Sequence, residues 1–363
     1  MVKILGLDIG GANTKHVFIE VQNDQIILLS TSSDYFPIWK DYQSFPEYLN
    51  KLKSKLGEEF GSIDQVVFVT TAELADCFQT KKEGIEIISR YVEDCFQLDN
   101  EEATPLILDV NGHFLSTQEA GENWLNVSAT NWIASAKYLG SKYQNALVID
   151  IGSTTTDFTP INQGKIVAQG SNDLERLINK ELVYSGLIRT NVVAIIQEVK
   201  VRNEIVPLAS ELFATIGDVY LLLGLISEEE YTGETADGKP VSKEYAKARL
   251  ARVVCSDTNQ LTHNDIMEIA RQIKDKQFEK LSDAMNHVLN RYRIMYELNP
   301  EIILIGSGAN TIGMSLLRMN GIYEQIIADD ILDESSLNAF CAFAVAVLYS
   351  KKYLGTRDAL NEN

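Results

Sequence analysis

At 363 residues, with 45% hydrophobic and 23% charged side chains, the chain is long enough for two cores and has the composition of a globular protein. Its formal net charge of -19 excludes a basic nucleic-acid-binding surface, while leaving room for an anionic ligand held by backbone N–H groups and a metal ion. The run into Asp8 is no signal peptide, the apolar tract Phe340–Tyr349 is too short to span a bilayer, and Cys77, Cys95, Cys255 and Cys341 show neither CxxC nor zinc-ligand spacing, so a cytoplasmic protein with buried free thiols and no membrane is expected.

In chain order, residues 3–9, 15–21 and 25–30 predict three consecutive strands. A helix follows from about Ser44 to Leu56, with Leu49, Leu52 and Leu56 on one face. Gln65–Thr70 is a β-branched strand that runs into the polar segment TTAELAD, and Lys81–Phe96 is helical, with Ile85, Ile88, Val92 and Cys95 as its apolar stripe. Leu106–Val110 predicts a strand and Ala129–Tyr138 a helix, with a hinge near Gly140–Asn145. Trp124 and Trp132 read as core residues.

The order then repeats, with strands over Ala146–Ile151, Thr156–Ile161 and Lys165–Ser171. Helices are predicted over Leu174–Tyr184 and Leu208–Gly224, an excursion loop over Glu228–Lys243, and helix again over Lys243–Cys255. Thr262 and Asp265 form a capping-box pattern at the head of a helix that runs to about Tyr296. Glu301–Ile305 is a buried strand leading into Gly306-Ser307-Gly308 and a further helix, and the last helix spans Leu337–Lys351. Two lobes are expected, residues 1–140 and 141–363, the second carrying a helical insertion at about 174–298 and a final helix suited to packing between lobes. The four histidines, His16, His113, His263 and His287, are dispersed and read as structural or exposed.

Two stretches carry the chemistry. LGLDIGGANTK (Leu5–Lys15) and LVIDIGSTTTDF (Leu147–Phe158) are each an apolar run ending in Asp-Ile-Gly and then a small, hydroxyl-rich turn. Glycines let the backbone turn sharply or approach a ligand, and the polar turn surrounds exposed N–H groups, which makes a phosphate cradle with a carboxylate at its mouth. Gly10, Gly11, Asn13, Thr14 and Lys15 are assigned to one phosphate group, and Gly152, Ser153, Thr154 and Thr155 to the other. Asp8 and Asp150 are assigned to a divalent metal, Mg²⁺. Lys15 either adds a point charge or is a solvated strand residue. Gly306 and Gly308 mark another close backbone approach to a ligand. Neither a Walker-type nor a GxGxxG motif is present. The doubled strand–strand–strand–helix order outlines a duplicated ribonuclease-H-like α/β architecture, two lobes around a central cleft.

The two loops and LIGSGAN (Leu304–Asn310) resemble the phosphate and adenosine motifs of the actin, sugar kinase and heat-shock ATPase superfamily, and DIGGANTK and DIGSTTTD resemble its hydantoinase/oxoprolinase branch. YFPIWK (Tyr35–Lys40), TAELADCF (Thr71–Phe78), ELVYSGLIRT (Glu181–Thr190), SELFATIGDVYLLLG (Ser210–Gly224), TADGKP (Thr235–Pro240) and ARLARVVCSD (Ala248–Asp257) resemble a small family linked to tetrahydromethanopterin-dependent one-carbon transfer, with methanofuran-biosynthesis synthases among its archaeal members. The resemblance implies an actin-like fold and an ether-forming condensation: an aminomethyl-furanmethyl diphosphate is attacked by the phenol of γ-glutamyltyramine and pyrophosphate leaves.

Such a reaction needs stabilisation of the departing diphosphate, which N–H-rich loops and Mg²⁺ supply, and a base for a phenol whose ordinary pKa is about 10. Glu73, Asp76 and Asp157 are the candidate bases; helix caps or surface charges are the other reading of each. Tyr184, Arg189 and Thr190 cluster around Gly186 in sequence, and Arg189 suits a substrate carboxylate or an acidic surface neighbour equally. An ATP-dependent small-molecule kinase, a hydantoinase-type hydrolase and a non-catalytic nucleotide-binding regulator are the competing readings. A monomer and a homodimer both fit the acidic surface and apolar last helix.

Overall fold

A computed structural model of the chain describes residues 1–23, 25–96, 104–327 and 339–355. The chain divides into two compact units. The first contains residues 1–146, 161–176 and the C-terminal segment, and the second residues 147–160 and 177–327. The sequence suggested one cut at 140/141; the chain instead passes between the units more than once.

The first unit is built on a six-stranded sheet in the order β3-β2-β1-β4-β5-β6. β1 (Val2–Ile9), β2 (Asn13–Gln22) and β3 (Gln25–Tyr35) form an antiparallel meander, and β4 (Gln65–Thr70) runs parallel to β1, followed by β5 (Leu106–Leu108) and β6 (Phe114–Ser116). The predicted strand Leu106–Val110 stops at Leu108 because the Asp109 carboxylate accepts from the backbone N–H of Asn111 at 2.9 Å and of His113 at 2.6 Å, which reverses the chain into β6. Helix Phe45–Phe60 buries Leu49, Leu52 and Leu56, and helix Lys81–Cys95 buries Ile85, Ile88 and Val92, against Leu5, Leu7 and Phe68 of the sheet. Trp132 is buried and Trp124 packs at the margin of this core.

The last helix is described over Phe340–Tyr349; positions 337 and 338 of the predicted span lie outside the described residues. It is apolar on every face because it lies on β1, β2 and β4 of the first unit and beside helix Asn131–Gly140, with Phe340–Val347 all buried. Gly6 makes that approach possible, since a β-carbon there would overlap the Ala342 carbonyl oxygen. The helix thus belongs to the first unit, not the second lobe.

The second unit repeats the opening. β7 (Asn145–Ile151) and β8 (Thr156–Asn162) lie side by side, and β9 (Lys165–Ile166), which belongs to the first unit, pairs with Ile161 and Asn162 at the end of β8. The predicted strand Lys165–Ser171 is only Lys165–Ile166, and its last predicted position instead belongs to a helix start that Ser171 and Asn172 cap: the Glu175 carboxylate accepts from Ser171 N at 2.8 Å and Asn172 Oδ1 from Glu175 N at 3.1 Å. That helix, Asp173–Ile178, is half the predicted length; Lys180 takes a left-handed φ of 56°, and Leu182–Val183 forms β10 against β8. A hairpin of β11 (Glu198–Val201) and β12 (Glu204–Pro207), absent from the prediction, precedes helix Ile216–Leu223. Its start is set by a capping box between Thr215 and Asp218, so 208–214 is not helical. The capping box Thr262–Asp265 opens a 34-residue helix, His263–Tyr296, that packs its apolar face on the core with Ile149, Ile151 and Leu304 of β13 (Glu301–Ile305); β14 (Ile326–Ile327) lies beside β13.

All four cysteines are free thiols; Cys95 and Cys341 are buried and Cys77 partly so, but Cys255 is exposed. Among the described residues no helix is long and apolar enough to cross a membrane.

Candidate active site

The two Asp-Ile-Gly loops close in the same way. In the first unit Gly10 N donates to Asn13 O at 2.9 Å, joining β1 to β2; in the second, Gly152 N donates to Thr155 O at 2.9 Å, joining β7 to β8. Asp8 and Asp150 therefore occupy matching positions two residues before the glycine, and Thr14 and Thr156 matching positions after the turn, both fully buried. Gly11 has open space where a side chain would stand. Thr14 Oγ1 is buried without a hydrogen-bond partner.

The loops differ in charge. Asp8 is 5% exposed and is paired with Lys15 across the two strands, Nζ to Oδ2 3.3 Å. The position matching Lys15 in the second loop is held by Asp157, which is buried on β8 opposite Leu182 of β10.

A second layer supports each loop. Behind the first, Thr71 N and Thr70 Oγ1 both donate to Ile9 O at 3.0 Å, which ties the end of β4 to the loop. Behind the second, Leu187 N donates to Gly152 O, and Ile188 N and Arg189 N to Ser153 O, each at 2.9 Å. Gly186 lies flat on this loop: a β-carbon there would stand 2.7 Å from Ser153 C and Thr154 N. Gln277 of the long helix holds Gly186 in place, its Nε2 donating to Gly186 O and Ser185 Oγ at 2.9 Å, while Tyr220 OH donates to Gln277 Oε1 at 2.9 Å. Gln277 was not singled out in sequence; a glutamine inside an amphipathic helix carries no local signal.

Of the residues near Gly186, Thr190 is buried and its hydroxyl accepts from Gly186 N at 3.1 Å, so its contact is with the loop's support. Tyr184 and Arg189 are exposed, on the same segment. Gly306, at φ 85°, and Gly308 pack on the end of β7: a β-carbon at 306 would overlap Asp150 Oδ1, and Gly308 N donates to Ile151 O at 2.8 Å. These two glycines are turned towards β7 and bring the 306–308 turn beside Asp150.

Glu73 lies in the turn after β4 and is 1% exposed. Its Oε1 is 3.7 Å from Lys81 Nζ, which also contacts Asp173 at 2.9 Å, and its Oε2 has no hydrogen-bond partner. Burial pushes its pKa up to about 7 from the ordinary 4.5, opposed by the Lys81 charge. Asp76, three residues on, is exposed. His16, inside β2, is buried, and desolvation lowers its pKa to about 4, so the imidazole is neutral; the other three histidines are exposed. Among the described residues no three or more His, Cys, Asp or Glu are grouped to hold a metal by themselves.

A family model for hydantoinase/oxoprolinase matches residues 64–347. Over 352 residues, 97% of this chain and 98% of the relative, the sequence is 36% identical to the (4-{4-[2-(gamma-L-glutamylamino)ethyl]phenoxymethyl}furan-2-yl)methanamine synthase of Methanocaldococcus jannaschii. The synthase of the same name from Methanococcus vannielii is 32% identical over 208 residues, 57% of this chain and 84% of that one. Nucleotide-free acetone carboxylase, at 11% identity, superposes on 95% of this chain and 70% of its own with a TM-score of 0.57, which shows a shared fold, that of the actin-like ATPases. The chain belongs to the hydantoinase/oxoprolinase family and, within it, is a homologue of these two archaeal synthases.

Proposed function

We propose that the chain is a Mg²⁺-dependent condensing transferase of methanofuran biosynthesis, which joins an aminomethyl-furanmethyl diphosphate to the phenol of γ-glutamyltyramine. The observation that carries this reading is the likeness to the Methanocaldococcus jannaschii synthase, 36% over nearly the full length of both chains. In the reaction the furanmethyl carbon loses its C–O bond to the diphosphate, the phenol oxygen forms the ether bond, the phenol proton goes to a base, and pyrophosphate departs.

The residues suit this chemistry. Gly10, Gly11, Asn13, Thr14 and Lys15, and separately Gly152, Ser153, Thr154 and Thr155, are assigned to phosphate recognition through backbone N–H groups and hydroxyls. Asp8 and Asp150 are assigned to Mg²⁺. With only one or two carboxylates on each loop, the remaining ligands would be water and diphosphate oxygens, the coordination that Mg²⁺ favours. When bound, the ion supplies positive charge where the leaving diphosphate develops negative charge. Asp157, at the position of Lys15, is assigned to the same cation-facing edge. Glu73 is assigned as the base: its pKa of about 7 keeps it partly ionised at neutral pH, and Oε2 is an unengaged acceptor. Arg189 and Tyr184, exposed beside the second loop, are assigned to the γ-glutamyl carboxylate and the phenol ring.

The test is pyrophosphate release from purified protein with Mg²⁺ and both substrates, with ATP as the control. Release that requires both partners, ignores ATP and is lost in Asp8→Asn or Asp150→Asn supports the proposal. Hydrolysis of ATP without release from the diphosphate would move the chain to the kinase or hydrolase class.

A further inference from the structure

An open cavity of about 550 Å³ lies wholly within the first unit, lined by Asn111, Trp132, Lys137, Ser141, Lys165 and Ser171 among others. None of its lining residues belongs to either Asp-Ile-Gly loop. In a chain of net charge -19 its charged lining is only lysine. Lys351 extends the positive edge, donating to Ser141 Oγ at 3.2 Å, and Lys142 and Lys351 both stand over the Tyr138 ring, at 5.2 and 5.5 Å.

Lys137 is the informative residue. It is half-buried on helix Asn131–Gly140, and among the described residues its amine has no hydrogen bond and no carboxylate within ion-pair distance. The acid whose charge acts on it is Asp109, whose oxygens are already engaged by Asn111 N, Asn111 Nδ2, His113 N and His113 Nδ1 of its own turn. Room for the Lys137 side chain is made by Gly112, at φ 82°, where a β-carbon would stand within 2.6 Å of Lys137 Cδ. Burial lowers the Lys137 pKa from its ordinary value, with Asp109 opposing and Lys352 adding to the effect. A half-buried ammonium with no carboxylate in ion-pair distance gains from a ligand that brings a negative charge into contact with it. Beside it stands the amide of Asn111, which donates one N–H to Asp109 and keeps a second for a ligand, while the Ser141 and Ser171 hydroxyls donate to Tyr138 O at 2.7 Å and to Glu175 at 2.8 Å; Trp132 and Ile133 form an apolar wall.

We propose that this cavity binds a small anion bearing a phosphate or carboxylate group, with Lys137 as its counter-charge. The site is additional to the condensation proposed above and does not depend on it. The experiment uses the full-length protein with lysines reductively ¹³C-methylated, which keeps their charge, and follows the Lys137 resonance, assigned by Lys137→Arg, while inorganic phosphate or glutamate is added. The expected result is a saturable shift of that resonance, absent with chloride at equal ionic strength; phosphate saturating names a phosphate-bearing ligand and glutamate a carboxylate-bearing one. Calorimetry on unmethylated protein should then show affinity for the same anion falling about tenfold in Lys137→Gln, the loss of one charged hydrogen bond, and unchanged in Lys51→Gln, an exposed lysine outside the cavity. A Lys137 resonance that fails to saturate with both anions, or that moves equally with chloride, overturns the proposal. So does a Lys137→Gln protein that binds as tightly as the parent.

Discussion

Lys15 Nζ lies 3.3 Å from Asp8 Oδ2 in the first loop, and the second loop places a carboxylate, Asp157, where the first has that lysine. The two loops share one backbone closure but differ in charge at a matched position. A lysine beside Asp8 neutralises the carboxylate and leaves a donor for phosphate; a second carboxylate on the strand that follows Asp150 favours a cation.

The first prediction concerns Asp8 and Lys15. Asp8→Asn should lower turnover about 10²–10³-fold, the usual scale for losing a group that stabilises developing charge. Lys15→Met should instead raise the KM for the diphosphate and lower stability by about 1–3 kcal/mol, because Asp8 remains buried without its ion pair. Steady-state kinetics and urea unfolding of both variants separate the two effects. Equal kinetics for Lys15→Met and the parent would return Lys15 to a solvated strand residue.

In the second loop, Asp157→Asn should raise the Mg²⁺ concentration needed for half-maximal pyrophosphate release by about 10–100-fold, the range seen for groups that tune a metal site. A Mg²⁺ titration of the variant measures this. An unchanged Mg²⁺ requirement would remove Asp157 from the cation-facing edge.

Glu73 gives a pH prediction. Its folded pKa, about 7, is above the ordinary 4.5, so the folded state binds the proton more tightly than the unfolded state. The resulting stability is present in full below about pH 4.5 and is lost as pH rises through about 7, a swing of roughly 3 kcal/mol at 1.4 kcal/mol per pKa unit. Glu73→Gln should remove that dependence. If Glu73 is also the base, kcat/KM should rise with pH through about 7 in the parent and lose this limb in Glu73→Gln. Retention of the limb in the variant would assign the base elsewhere.

Gly186→Ala should impair the second loop from behind. The added methyl would displace Ser153 and Thr154, costing about 1–3 kcal/mol of stability together with a large fall in activity. Gln277→Leu, which removes the amide holding Gly186, should weaken activity more than it weakens folding. Thermal unfolding beside pyrophosphate release tests both, and normal activity in Gly186→Ala would show that the segment does not position the loop.

Arg249 is fully buried and pairs with Asp218 at 2.6 Å and with Asp237 at 3.1 Å, which fastens the polar 228–242 excursion to the helices. Arg249→Met should cost about 3–5 kcal/mol, because it strands Asp218 as an uncompensated buried charge. Chemical denaturation measures the loss. The double variant Arg249→Met with Asp218→Leu should recover much of it.

Features whose cause is local were legible in the sequence. An apolar run ending in Asp-Ile-Gly forces a strand and a tight turn, and doing so twice betrays the duplicated fold; Thr262 and Asp265 announce a helix start because both partners of the capping box lie within one turn. Local signals also set boundaries that periodicity misplaced, ending a strand before Asp109 and starting helices after Ser171 and after Thr215, where a side chain offers the backbone a competing hydrogen bond. The remaining features depend on residues far apart in the chain. Glu73 became a carboxylate with a pKa near 7 because a turn buried it beside Lys81 and Asp173, whereas Asp76, equal to it in sequence terms, stayed exposed. Gly186 and Gln277 support the second loop only because a strand and the long helix bring them there, and the last helix joins the first unit because Gly6 leaves space for Ala342. Desolvation and close contact are set by which surfaces meet, and no short stretch of sequence encodes that.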